Sequence, residues 1–73
     1  MKYATMIFIK VLSGLCQQQV VNSEKKIAMI ETWKASRDSK DIITMKKLLD
    51  ELYSITSNQV WRGDLNRALE SLL

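Results

Sequence analysis

The side chains able to do chemistry in this 73-residue chain are few: one cysteine (Cys16), eight carboxylates, 11 lysines and arginines, and no histidine. Histidine is the usual general base near neutral pH, so acyl transfer by a Ser-His or Cys-His pair is excluded. One thiol with scattered carboxylates cannot supply the nitrogen and sulfur ligands of a zinc site. Two glycines cannot build a phosphate cradle, and neither the P-loop nor the dinucleotide pattern occurs. Asp50 and Glu51 are adjacent, and adjacent residues on a helix project in different directions, so they do not converge on a substrate. The chain is therefore expected to be no enzyme, with no cofactor and no metal. Cys16 falls on an apolar helix face, where a free thiol behaves as a small buried hydrophobe.

The basic side chains could do a different kind of work. Formal charge is +3, and the isoelectric point is near 9.2, mildly basic and short of the clustered cations of a strong nucleic-acid binder. Lys2 and Lys10 precede any acid, and the densest group is Lys25, Lys26, Lys34, Arg37 and Lys40. These five are the candidate nucleic-acid contacts. Glu24, Glu31 and Asp38 are interspersed among them, so a solvated helix face is the favoured reading and DNA the lesser one.

Helices must position these groups, because the chain has no proline and only Gly14 and Gly63 to punctuate it. The first segment, residues 2–20, has rows at helical spacing: Ile7, Val11 and Leu15, then Phe8, Leu12 and Cys16. Tyr3, Ala4, Met6 and Ile9 make it apolar nearly all round. A strand over residues 3–12 is the competing reading, disfavoured because no second strand is apparent to pair with it. Asn22-Ser23 offers a cap for a second helix facing inward through Ile27, Ile30 and Trp33, with Met29 flanking, and fading over residues 35–39. A third is entered through Asp38 or Ser39 as cap, with Ile42, Met45, Leu48, Leu49, Leu52 and Ile55 inward. After a turn at Thr56-Ser57-Asn58 comes a fourth, striped by Trp61, Leu65, Ala68, Leu69 and Leu72. Gly63 either nicks that helix or marks its true start, with Asp64 as cap.

The sum is an all-α single domain, a small bundle of three to four short helices. A chain this short buries only roughly 60% of its unfolded surface and commonly gains stability from disulfides, metals or association. The first two routes are closed here, so the bundle is expected to be completed by dimerisation or by docking on another protein. The all-round apolar first helix would form much of that interface, giving Tyr3, Ile7, Phe8, Val11, Leu12, Leu15, Trp33 and Trp61 as candidates, the tryptophans because they are enriched where helical proteins grip one another. Lys10 interrupts the apolar N-terminal run and bulky Leu15 precedes Cys16, which argues against a secretion signal or lipoprotein cleavage site; a cytoplasmic protein with no membrane span is expected.

Lys40-Asp41-Ile42-Ile43, then Leu48-Leu49 and Leu52, a short polar turn, and Arg67-Ala68-Leu69-Glu70-Ser71-Leu72-Leu73 together are similar to the YmgB/AriR family. These are small enterobacterial regulators linked to biofilm development and acid resistance and described as two-component-system connectors. The likeness covers about half the chain, and a glycine that the family pattern places before the Lys40 segment is missing. It implies a helical homodimer that modulates a signalling regulator, with a response regulator as the candidate partner and DNA binding as a secondary activity. A DNA-binding regulator and a dedicated chaperone for a secretion substrate are the rival expectations.

Overall fold

The structure, a computed structural model, describes residues 2–73. Four helices follow one another: α1 (Lys2–Gln17), α2 (Ser23–Ser39), α3 (Ile42–Ile55) and α4 (Gln59–Ser71). No strand occurs among the described residues, so the segment that alternates Ile7, Ile9 and Val11 is helix. Three helices begin on a side-chain cap: Asn22 accepts from the Lys25 amide at 2.7 Å, Asp41 from Thr44 at 3.1 Å and Asn58 from Trp61 at 3.1 Å. Each cap satisfies one of the amides that a first helical turn leaves without a partner.

One of these starts differs from expectation, and another decides between two alternatives that the sequence left open. Helix α2 runs through Asp38 and Ser39, because Lys40 takes the left-handed conformation (φ 59°) and returns its amide to Arg37 and Ser36. Asp41 is thus the cap of α3 rather than a first-turn residue. Helix α4 begins at Gln59, directly after the expected turn and capped by Asn58, which leaves Gly63 inside the helix and Asp64 in mid-helix rather than as a cap.

Helices α2 and α3 run antiparallel, as do α1 and α4: Lys25 of α2 meets Glu51 of α3, and Lys10 and Gly14 of α1 meet Asp64 and Trp61 of α4. Helices α2 and α4 lie on opposite sides, each against both α1 and α3, and α1 also touches α3 across the centre. Helix α1 therefore has a neighbour in all three other helices. Its buried face is Ala4, Ile7, Phe8, Val11, Leu12 and Leu15; α3 adds Met45, Leu49 and Leu52, and α4 adds Leu65 and Ala68. Val21, in the first turn, closes one end of this core.

On α2 the inward row is Met29, Trp33 and Ser36, one step around from the expected face. Ile30 is half-buried, and Ile27 is 57% exposed, because the row that contains Trp33 at i, i+4 and i+7 starts at Met29. Trp33 explains the choice: its ring stacks on Phe8 at 4.3 Å between centroids, and its Nε1 donates to Thr5 Oγ1 at 3.0 Å. A large ring with its one polar atom satisfied pins the rotation of α2.

Candidate functional site

The candidate interface residues fall into two sets. Ile7, Phe8, Val11, Leu12, Leu15 and Trp33 are buried by the chain's own helices, which corrects their expected place on a partner-facing surface. The apolar breadth of α1 is consumed by three intramolecular neighbours rather than left for a second molecule. Only Tyr3, 40% exposed, and half-buried Trp61 retain access to solvent. What remains outward on α1 is a narrow strip: Lys2, Met6, Lys10 and Gln17.

The five basic candidates do not converge. Lys25 and Lys26 sit in the first turn of α2, with Lys25 Nζ 3.8 Å from Glu51, whereas Lys34, Arg37 and Lys40 lie near its other end. At 1.5 Å of rise per residue the two groups stand on the order of 18 Å apart. Glu51 is occupied by Lys25 and does not pair with Asp50 to form a site. Cys16 is half-buried. Among the described residues no group of three or more cysteines and carboxylates could hold a metal, and no helix is long and apolar enough to cross a membrane.

A polar cluster not foreseen from the sequence ties α1 to α4. The buried Asp64 carboxylate accepts from Arg67 at 2.7 Å and from Lys10 at 3.1 Å. The Arg67 hydrogen bond, then the Lys10 bond, holds the Asp64 carboxyl below its usual range, while Asp64 foremost, with the Tyr3 hydroxyl after it, pushes the Arg67 guanidinium up. The Asp64 carboxylate and the Arg67 guanidinium are thus held in their charged forms, which suits a tether and not proton transfer. The signal available in the sequence was positional: Asp64 interrupts the Trp61, Leu65, Ala68 stripe, and a carboxylate on an inward row needs a cation. Nothing local pointed to Lys10, 54 residues away. On α4's other flank the Arg62 guanidinium lies over the Tyr53 ring at 4.1 Å from its centroid.

Two clefts open at opposite ends of the bundle. One, of about 310 Å³, lies between the α1–α2 and α3–α4 turns and is lined by Leu15, Gln18, Val20, Ile55, Thr56, Ser57 and Asn58. The other, of about 290 Å³ and mostly apolar, is lined by Lys2, Thr5 and Met6 of α1 and Arg37 of α2. Neither brings together a nucleophile and a base.

No family model, curated protein or solved structure matches this chain.

Proposed function

We propose that this chain is a non-enzymatic helical adaptor that acts in the cytoplasm by binding another protein, modulating a signalling or transcriptional regulator as the YmgB/AriR-like pattern of α3 and α4 suggests. The observation that carries the reading is a core that closes on itself while large apolar side chains stay outside it at both end clefts: Val20 and Ile55 at one, Met6 at the other. Apolar side chains next to a concave surface are what partner anchors use. A lone half-buried thiol agrees with a reducing compartment. Self-association, if it accompanies this role, must draw on those outer residues and not on the α1 core.

The test is affinity capture of the tagged full chain from its native host after chemical cross-linking, with the linked residues mapped by mass spectrometry. Cross-links from one repeatedly captured protein to lysines bordering a cleft support the reading. Capture of none, with the chain present only as monomer by light scattering at tens of micromolar, removes it.

A further inference from the structure

The α1 end of the bundle has a charge pattern its own chain does not answer. Helix α1 contains no acid, and its outer strip carries Lys2 and Lys10 with Met6, 58% exposed, between them. Lys10 is answered by Asp64. Lys2 makes no ion pair among the described residues, and Arg37 has only the neighbouring, largely exposed Asp38 at 3.6 Å. Both cations line the 290 Å³ cleft with Met6 and Thr5, and no carboxylate lines it with them. A mostly apolar hollow rimmed by two under-compensated cations is complementary to an apolar group flanked by anions.

We propose that the cleft between the first turn of α1 and the last turn of α2 docks an acidic amphipathic helix of another protein. One aliphatic side chain of that helix seats against Met6 and Thr5, and carboxylates a turn to either side pair with Lys2 and Arg37. Two of the side chains at the site suit a protein partner: methionine adapts to varied apolar shapes, and Met and Arg are both over-represented at interfaces. A phosphodiester backbone fits less well, because the floor is apolar and Lys25 and Lys26 lie too far along α2 to extend the cationic rim. This deepens the adaptor reading above and rests on it.

The experiment titrates the full isotope-labelled chain, followed by NMR, with three probes. The first is a capped helical peptide bearing one leucine flanked by glutamates at helical spacing; the second is its lysine-for-glutamate analogue; the third is a short DNA duplex. The acidic peptide should shift the Met6 methyl and the Trp33 indole N–H, which is bonded to Thr5 of the cleft, and leave unmoved the indole of Trp61 in α4, which packs on Gly14 two turns farther along α1. The shifts should weaken with salt, and Lys2→Glu with Arg37→Glu should lower the affinity at least about tenfold, with helicity by circular dichroism unchanged. No localised shift, an equal response to the lysine analogue, or tighter binding of the duplex to the same residues would overturn the proposal. Should a partner captured from the host bind the double variant as well as the parent, the cleft assignment fails while the adaptor reading stands. Capture of no partner by either chain sinks the adaptor reading itself.

Discussion

Gly14 of α1 lies flat against the indole of Trp61 in α4, so close that a Cβ at position 14 would stand 2.5 Å from Trp61 Cζ2. The two helices meet here because one of them has no side chain. Gly14→Ala gains about 1 kcal/mol of helix propensity but meets an overpacking cost of about 1–3 kcal/mol. We expect a net loss of about 1 kcal/mol in urea unfolding and a red shift of Trp61 emission as the half-buried ring is pushed into water. Combining it with Trp61→Ala should recover much of the Gly14→Ala loss; strictly additive losses would show that the pair does not couple.

Asp64→Asn removes the charge that Lys10 and Arg67 share. Both cations are more than half exposed and rehydrate readily, so the loss should be modest, about 1 kcal/mol at neutral pH. The pH dependence is the sharper readout. The folded carboxyl titrates below its ordinary value of 3.8, so its contribution is complete above that pH and is lost as the pH falls through the lower folded value. Denaturation curves between pH 7 and 2 should show a smaller acid-side decline in the variant, and an unchanged decline would refute the tether.

Trp33→Phe keeps a ring against Phe8 but removes the donor to Thr5 and some volume. A loss of about 1–2 kcal/mol is expected, against about 3–5 kcal/mol for Trp33→Ala, enough to unfold a domain this small. Thermal melts of the two variants separate packing from the hydrogen bond.

Exchanging which face of α2 is disturbed tests its rotation. Ile27→Lys should stay within about 0.5 kcal/mol of the parent, whereas Met29→Ala should cost about 2–3 kcal/mol. The reverse order would return the inward face to Ile27.

Helix existence and the cores of α3 and α4 were legible because single, strong apolar rows defined them: Met45, Leu49 and Leu52, then Leu65 and Ala68. Helix α2 misled because Ile27 and Met29 offer two rival rows, and only a ring on another helix, Phe8, decides between them. The caps were ambiguous for a similar reason: Asp38, Ser39 and Asp41 all have capping side chains, and the left-handed turn at Lys40, a residue with no special tolerance for it, selects the last. The largest misreading concerned α1. An all-round apolar helix resembles a sticky surface when considered alone, but a helix packed against all three others of a four-helix bundle needs that breadth for its neighbours. Of the clefts, only the presence of charge near the N-terminus was visible; their walls join residues far apart in sequence.

Because α1 packs against all three other helices and its salt link to α4 spans 54 residues, the chain closes on itself like a strap whose ends buckle together. Releasing either end uncovers the same few leucines that hold the other. Native-state hydrogen exchange should then find α1 and α4 amides opening in one shared event near the global free energy, rather than as independently fraying ends. If the end clefts meet partners as proposed, recognition would begin from an intact bundle, not from a partly opened one.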